Sequence, residues 1–354
     1  MPQRRKMFET TQLGVDFWND SCDPEHLREG VAAGAVGATS NPVIVFQSLV
    51  RSQELWQPLL RAQMQEHPDA SEDDLAWLMI EAIGRAAAQQ LLPVFEKTQG
   101  KKGKLSLQVD PRYYRSTKRM VTHGRQLADL APNIMVKVPA TVSGMRAMEE
   151  LTAEGISINA TVSFSVAQAI ACAEAVERGW QRARLAGKAT QNLSPCVTIM
   201  VGRVEDYLRR CLEKEGLVID PTALPWSGPA VFKKAYAVFK AQNYQSRLLA
   251  AAYRHQLHWT ELIGPDVVLS IPYAWWKKFD IAELALTQTI TQAVDTRILN
   301  ALDKIPDFRK VLAEEGLREQ DFVTFGPTQD TLGQFLTGLD DLRRWIRQDL
   351  LKGA

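Results

Sequence analysis

Eight short apolar runs, most of them separated by amphipathic helical stretches, constrain the fold of this chain most strongly. Alternation of strands with helices is typical of a parallel sheet. Eight such units favour a single (β/α)8 barrel of the TIM type, an α/β fold, over an open doubly wound sheet. The competing open sheet lacks support, because neither G-x-G-x-x-G nor G-x-x-x-x-G-K-[ST] occurs. The runs are 13–18, 36–39, 105–109, 134–138, 156–158, 197–201, 248–253 and 267–271.

The chain is longer than a minimal barrel, with 354 residues against roughly 250. We predict one domain over 1–354, because no linker, repeat or low-complexity tract interrupts the pattern. The surplus falls in helical insertions at about 53–103 and about 208–244 and in a helical tail at about 278–354. The tail and the Trp275-Trp276 pair either cover the barrel or form a homodimer contact, and the sequence leaves both open.

Composition and charge exclude several classes of function. Lys and Arg total 42 and Asp and Glu total 41, so the net charge of +1 offers no strong field and we expect no nucleic-acid partner. No apolar run reaches the roughly 18 residues of a membrane span, and no apolar signal core follows the basic N-terminus. The four cysteines lack C-x-x-C spacing and are interpreted as reduced thiols. These features predict a cytoplasmic enzyme without a membrane partner.

Polar side chains occur late in, or just after, most of the apolar runs. The C-terminal ends of the strands form the active-site face of a parallel barrel, so these side chains should meet on one rim. Lys137 is the most informative, because burial in an apolar strand favours the neutral amine that attacks carbonyls. An ion-paired or snorkelling lysine is the alternative, and the local pattern alone favours it. The other rim residues are Asp20, Asn41, Gln108, Asn159, Thr161, Arg203 and Arg254.

Most of the other rim residues have both a functional and a structural interpretation. Asp20 can act as a general acid or base beside the amine, or cap the helix that follows. Asn41, Asn159 and Thr161 can bind a polar substrate or a water, or satisfy turns. The occurrence of a lysine, an acid and amides on one predicted rim is what favours a site.

Two arginines and two histidines bear on what the site can hold. Arg203 and Arg254 suit an anion, because the guanidinium fork matches phosphate, although a surface salt bridge is the alternative for each. His255 and His258 have metal-ligand spacing, but no acid or cysteine cluster is apparent near them in the sequence. We therefore expect no metal and no cofactor.

At these residues the sequence resembles the transaldolase family, a group of Schiff-base aldolases built on an α/β barrel. The resemblance runs from about residue 13 to about residue 271 and is clearest in three motifs. The second of them matches the motif around the Schiff-base lysine and is long and specific. The three are GATSNP at 37–42, IMVKVPAT at 134–141 and GISINAT at 155–161.

The resemblance implies a role for each matching residue. Lys137 would form a Schiff base with a ketose, and Asp20 would handle the hydroxyl proton during carbon–carbon cleavage. Asn41 and Asn159 would hold substrate hydroxyls, and Thr161 would position the catalytic water.

The resemblance also implies how the anionic end of the substrate is held. Arg203 and Arg254 match the two phosphate-binding arginines of the family. Thr198 and Ala252 replace serines near the phosphate, and only Thr198 keeps a hydroxyl. Val43 stands where the first motif usually has a smaller residue. The partners implied are small-molecule sugar phosphates.

Gln108 is the departure that most affects the chemistry. The family usually has a glutamate here that reaches the catalytic water, and an amide cannot act as a general acid or base near neutral pH. The fructose-6-phosphate aldolase branch is similar in having glutamine. The strand-six tyrosine of that branch corresponds to Met200 in this chain, so the pattern is only half present.

Three hypotheses about function follow. The first is transfer of a dihydroxyacetone unit from a ketose phosphate to an aldose phosphate, a reaction of carbohydrate metabolism in the pentose phosphate pathway. The second is reversible aldol cleavage as in the fructose-6-phosphate aldolase branch, which Gln108 favours. The third is a non-catalytic sugar-phosphate-binding barrel that has lost turnover through Gln108.

Overall fold

A closed barrel of eight parallel strands forms the centre of the computed structural model, which describes residues 5–352. Neighbouring strands pair in chain order, and the last strand pairs with the first. The predicted (β/α)8 barrel is therefore confirmed. The strands are β1 Asp16–Asn19, β2 Gly37–Thr39, β3 Lys104–Gln108, β4 Ile134–Pro139, β5 Ile158–Thr161, β6 Cys196–Ile199, β7 Arg247–Ala250 and β8 Val267–Ile271.

Fifteen α-helices surround the barrel within residues 5–352. No helix in this part of the chain is long and apolar enough to cross a membrane. The helices are α1 Lys6–Gln12, α2 Pro24–Ala32, α3 Pro42–Arg51, α4 Gln53–Glu66, α5 Glu72–Lys97, α6 Thr117–Ala128, α7 Val142–Ala153, α8 Val166–Leu185, α9 Val201–Glu215, α10 Ser227–Gln242, α11 Leu257–Thr260, α12 Tyr273–Asp280, α13 Thr296–Leu302, α14 Pro306–Leu312 and α15 Gly326–Leu350.

Every predicted apolar run overlaps a strand, but most of the boundaries differ. Asn159 and Thr161 were expected to follow the fifth strand, and they lie within it. The hydroxyl and amide groups of Ser106, Asn159 and Thr198 bond to one another across β3, β5 and β6, so polar side chains are satisfied inside the barrel. β7 ends at Ala250, and two residues later Ala252 has a φ of 65°, which an extended strand cannot accommodate.

Because successive side chains of a strand point to opposite faces of the sheet, the buried apolar side chains form two separate clusters. One small cluster of six buried side chains lies in the barrel interior, and the apolar strand residues of the other, larger cluster pack outward against the helices. Gly37 of β2 lies directly under the Trp18 ring, since a Cβ at Gly37 would lie 2.4 Å from that ring. The interior cluster is Trp18, Met135, Cys196, Leu249, Ala251 and Val268.

The surplus segments lie outside the barrel strands. Residues 53–103 contain α4 and α5, and α5 begins with a capping box between Ser71 and Asp74. Residues 208–244 contain the end of α9 and all of α10. The segment 278–352 carries the end of α12 and helices α13 to α15, with irregular chain between Ile281 and Asp295.

The two tryptophans of the Trp275-Trp276 pair differ in burial. Trp276 is 2% exposed and donates from its indole nitrogen to Asn19 Oδ1 at 2.9 Å. Trp275 is only partly buried, and Lys277 and Lys278 are exposed. One tryptophan of the pair therefore covers the barrel.

Helix α15 packs on α3 beside the C-terminal ends of the strands. Gly338 makes this approach close, because a Cβ there would lie 2.6 Å from Val43 Cγ2 and 2.9 Å from its backbone nitrogen. Five residues earlier on the same helix, Gly333 has no atom within 4 Å of its Cβ position. The close packing of α15 on α3 therefore requires glycine at position 338 but not at position 333.

Gly338→Ala is expected to lower the free energy of unfolding by about 1–3 kcal/mol, because the added methyl overpacks the contact with Val43. Gly333→Ala is the matched control and should raise it by about 0.5–1 kcal/mol, since alanine favours a helix. Urea unfolding of both variants measures the two values. Equal effects of the two substitutions would show that α15 does not seat closely on α3.

Candidate active site

A cavity of about 210 Å³ opens at the C-terminal ends of the strands. Seven of the nine predicted site residues line it, and Gln108 and Asn159 do not. The fold thus brings together most of the rim that the strand-end rule predicts. The seven residues are Asp20, Asn41, Lys137, Thr161, Thr198, Arg203 and Arg254.

Lys137 lies in β4 and is 5% exposed. Its Nζ donates to the backbone oxygen of Ser40 at 3.2 Å, and it makes no salt bridge within residues 5–352. Burial lowers its pKa to about 8; the Asp20 carboxylate opposes this shift and the Arg203 guanidinium adds to it. This environment differs from the ion-paired or snorkelling lysine that was the alternative, and it holds an amine that is neutral in a usable fraction at physiological pH.

Asp20 follows β1 directly. Its Oδ1 accepts a hydrogen bond from Thr39 Oγ1 at 2.5 Å, and Thr39 Oγ1 is 2.5 Å from Ser270 Oγ. Burial raises the pKa of Asp20, against the opposing effects of Lys137 and of the Thr39 bond. The cap of α2 is Asp23, whose Oδ1 accepts from two backbone N–H groups. Asp20 is therefore free of the capping role that was its structural alternative.

The two asparagines have different positions. Asn41 lines the cavity while its Oδ1 caps α3 by accepting from the Ile44 N–H at 3.0 Å. Asn159 is fully buried, donates to Ser106 Oγ at 2.9 Å and accepts from Thr198 Oγ1 at 2.8 Å. Its amide is thus satisfied at both ends and supports Thr198, which does line the cavity.

Gln108 and Thr161 leave polar atoms unsatisfied beside the lysine strand. Gln108 pairs in register with Lys137, and Thr161 pairs with Pro139 two residues further along β4. Gln108 Oε1 and Thr161 Oγ1 are buried without a hydrogen-bond partner. Buried polar atoms of this kind are usually satisfied by an ordered water or a ligand.

The two arginines are not equivalent. Arg254 donates from Nε and Nη2 to the Asp206 carboxylate, at distances down to 2.6 Å, and from Nη1 to two backbone carbonyls. Arg203 donates from Nη1 to Thr331 Oγ1 at 3.2 Å, and its buried Nε has no partner. Arg254 is thus neutralised by an acid, whereas Arg203 keeps free donors and its charge.

A close backbone contact fixes the spacing of the two arginines. A Cβ at Gly202 would lie 1.9 Å from the Ala252 oxygen and 2.8 Å from Arg254 Cγ. The start of α9 therefore touches the loop after β7, and glycine permits that approach. The serine-to-alanine departure at Ala252 falls at this contact.

Several side chains at the site were not predicted from the sequence. Thr331, Gln334 and Phe335 come from α15, and on a long amphipathic helix such residues give no signal of a site. Tyr253 also lines the cavity, and its buried hydroxyl has no partner. Burial and the Asp20 carboxylate raise the pKa of this phenol, so it stays protonated. Its place after β7 matched the strand-end rule and could have revealed it.

In the folded chain an acid, Glu205, lies next to His255 and His258, so the expectation that no acid is near this pair is wrong. Glu205 Oε2 lies 2.6 Å from His255 Nε2 and 3.7 Å from His258 Nε2. His258 Nδ1 accepts from the Arg254 backbone N–H at 3.1 Å, which places the proton of a neutral imidazole on Nε2. A ring with Nε2 protonated offers a metal no lone pair at that atom, and Nε2 itself is buried without a hydrogen-bond partner. The hydrogen bond from the Arg254 N–H to His258 Nδ1 instead fixes the backbone of Arg254.

The sequence matches a known family over most of its length. Residues 17–333 match the family described as Transaldolase/Fructose-6-phosphate aldolase. A transaldolase of Acidothermus cellulolyticus is 32% identical over 295 residues, which cover 75% of this chain and 77% of that protein. A transaldolase of Thermobifida fusca is 30% identical over 297 residues, covering 75% and 79%. A transaldolase of Parafrankia sp. is 28% identical over 350 residues, covering 89% and 94%.

Carbamoylation of Lys137 by cyanate is expected to accelerate as the pH rises through about 8, because the neutral amine is the reactive form and its pKa is lowered to that value. Peptide mass spectrometry at a series of pH values gives the midpoint. Asp20→Asn should move the midpoint to lower pH, since the carboxylate stabilises the ammonium ion. An unchanged or higher midpoint in this variant would contradict the electrostatic account of the pair.

Proposed function

Because the chain belongs to the transaldolase/fructose-6-phosphate aldolase family of enzymes, we propose that it transfers a dihydroxyacetone unit from a ketose phosphate to an aldose phosphate through a Schiff base on Lys137. The observation that carries this proposal is the buried Lys137 amine, which has a lowered pKa and lines a cavity shared with Asp20. A neutral amine and a nearby carboxylate are the two groups that such chemistry needs.

In the proposed reaction the Lys137 amine adds to the ketose carbonyl, and the carbinolamine loses water to give an iminium ion. Asp20 then takes the proton of the hydroxyl on the far carbon of the bond that breaks, so that this carbon becomes the carbonyl of the leaving aldehyde. The electron pair of that carbon–carbon bond moves into the iminium to form an enamine, and the aldehyde leaves. Addition of the enamine to an aldose phosphate reverses these steps and forms the new ketose.

Gln108 and Thr161 are proposed to hold the water that enters and leaves the carbinolamine. Their unpartnered oxygens lie on the two strands that flank the Lys137 strand, and an ordered water is the usual partner of such buried atoms. The glutamine can orient this water but cannot take its proton. Proton transfer would therefore depend on the carboxylate of Asp20, which is the acid that lines the cavity.

Arg203 is the proposed anchor for the substrate phosphate, because it has free donors in the cavity. Arg254 would bind the phosphate only as far as the phosphate displaces the Asp206 carboxylate from the Arg254 guanidinium group. Thr198 supplies a hydroxyl and Asn41 an amide nitrogen for the sugar hydroxyls. The expected cytoplasmic location, the absence of a cofactor and a homodimer contact stay predictions.

Aldol cleavage without transfer is the second candidate, and Gln108 favours it. The two activities differ in the fate of the enamine: a transferase keeps it until an aldehyde arrives, whereas a lyase protonates and hydrolyses it. With glutamine at position 108, hydrolysis of the bound three-carbon intermediate is slow if the water needs a carboxylate base at that position. Hydrolysis proceeds if Asp20 can serve as the base. Product analysis decides between them.

Incubation with fructose 6-phosphate and no acceptor should release no sustained free dihydroxyacetone, because the enamine waits for an aldehyde. Chromatography of the products over many turnovers measures the release. Gln108→Glu is the matched variant, and it should raise turnover when an aldose phosphate is added, since it supplies a general base at the water. Sustained release by the unaltered enzyme would contradict transfer and establish the aldolase activity.

Arg203→Ala is expected to raise KM for a phosphorylated ketose roughly 10- to 100-fold, the effect of losing a charge-assisted hydrogen bond of about 1.5–3 kcal/mol. Asp206→Asn should lower KM, because it releases the fork of Arg254 toward the phosphate. Steady-state kinetics with fructose 6-phosphate measure both KM values. Free fructose is the control: it carries no phosphate, so neither substitution should change its KM through a phosphate contact. A raised KM in Asp206→Asn would contradict the assignment.

A further inference from the structure

A second cavity opens at the N-terminal ends of the strands, on the face of the barrel opposite the candidate active site. Of the residues that line it, Lys104 and Ile134 begin β3 and β4, and Ser157 directly precedes β5. This basal cavity has a volume of about 910 Å³, against about 210 Å³ for the cavity that contains Lys137. Ordinary ligand pockets measure roughly 300–1,000 Å³, so the basal cavity has room for a small molecule.

Lys104 is the most deeply buried charged residue in the lining of the basal cavity. It is 3% exposed, whereas the other charged side chains of the lining are exposed or partly exposed. Its Nζ donates to the backbone oxygen of Asn192 at 2.6 Å and to Ser157 Oγ at 2.8 Å. An ammonium group has three N–H donors, so these two bonds leave one donor over.

The Lys104 ammonium has no anion beside it. Both of its acceptors are uncharged, and it makes no salt bridge within residues 5–352. Burial lowers the pKa of Lys104 to about 8, and the Arg247 guanidinium adds to the shift. The two bonds tie the segment around Asn192 to the barrel, but they explain neither the remaining donor nor the open volume next to the amine. A carboxylate in that volume would supply the missing counter-charge.

The other charges of the lining leave a place for one negative charge. Three cations and two acids line the basal cavity, so its lining carries a net charge of +1. Arg125 donates to both carboxylate oxygens of Glu154, which neutralises that pair. Lys188 and Asp129 are exposed and of opposite sign. The charge that stays uncompensated is therefore that of Lys104, and one monovalent anion balances it.

Apolar side chains indicate the nature of the rest of the ligand. They belong to seven of the fifteen lining residues, among them Phe95, Ile134, Ile156 and Leu193. An apolar body would remove these side chains from water, whereas a sugar would place hydroxyls against them without hydrogen-bond partners.

We propose that the basal cavity binds a monocarboxylate with an apolar body, whose head group accepts a hydrogen bond from Lys104. The basal cavity shares no lining residue with the cavity around Lys137. Its ligand is therefore separate from the substrate of the active site, and binding does not require turnover.

NMR titration of the full chain with 3-phenylpropionate tests this site, and 3-phenylpropionamide is the uncharged analogue of similar shape. The carboxylate should bind roughly tenfold more tightly than the amide, because it forms a charge-assisted hydrogen bond with the ammonium group. Lys104→Met should abolish this preference. Lys101→Met is the matched control and should retain it, because Lys101 is exposed and does not line the basal cavity.

Carbamoylation of Lys104 by cyanate at pH 8, followed by peptide mapping, locates the ligand in the unaltered chain and decides the matter even if Lys104→Met does not fold. Saturating 3-phenylpropionate should slow this reaction severalfold, because the carboxylate covers the amine and stabilises its unreactive ammonium form, while Lys101 reacts at an unchanged rate. The proposal is overturned if the carboxylate leaves the rate at Lys104 unchanged, or if a folded Lys104→Met variant still prefers the carboxylate to the amide. Slowing by inorganic phosphate and not by 3-phenylpropionate would also overturn it, in favour of a plain anion site.

Discussion

The site depends on burying the Lys137 amine without placing a carboxylate against it. Desolvation favours the neutral amine, and Nζ donates a hydrogen bond to the backbone oxygen of Ser40. Asp20 is near enough to oppose the shift but makes no salt bridge with the lysine. A direct ion pair would hold the ammonium form and remove the nucleophile, so the separation of acid and amine is the constraint that the surrounding residues must maintain.

The barrel maintains that separation through hydrogen bonds between strands. Thr39 of β2 holds Asp20 and is itself bonded to Ser270 of β8, and the chain Ser106–Asn159–Thr198 links β3, β5 and β6 around the lysine strand. These groups occupy inward positions, which the period of two along each strand provides. Helix α15 then closes the open side of the rim. Lys137 is thereby fixed by a rigid strand, whereas Arg203, Arg254 and Gln334 come from helices and a loop.

The sequence predicted the parts of this site that depend on local pattern. Eight apolar runs specified the strands, and polar residues at their ends specified Lys137 and Asp20, because strand ends converge in a barrel. It could not predict that Asp206 neutralises Arg254, since the pairing joins residues 48 positions apart on different elements. It also could not place Gln334 in the site, because a polar residue on an amphipathic helix resembles any solvated one. Long-range packing decides both.

The mass of the product trapped by borohydride in the presence of fructose 6-phosphate tests the central claim most directly. We predict one added dihydroxyacetone fragment, located by peptide mapping on Lys137 and absent from a Lys137→Met variant. The fragment mass would report cleavage of the donor as well as the identity of the amine. An enzyme that carries no adduct, or carries it on another lysine, would contradict the assignment of Lys137 as the nucleophile.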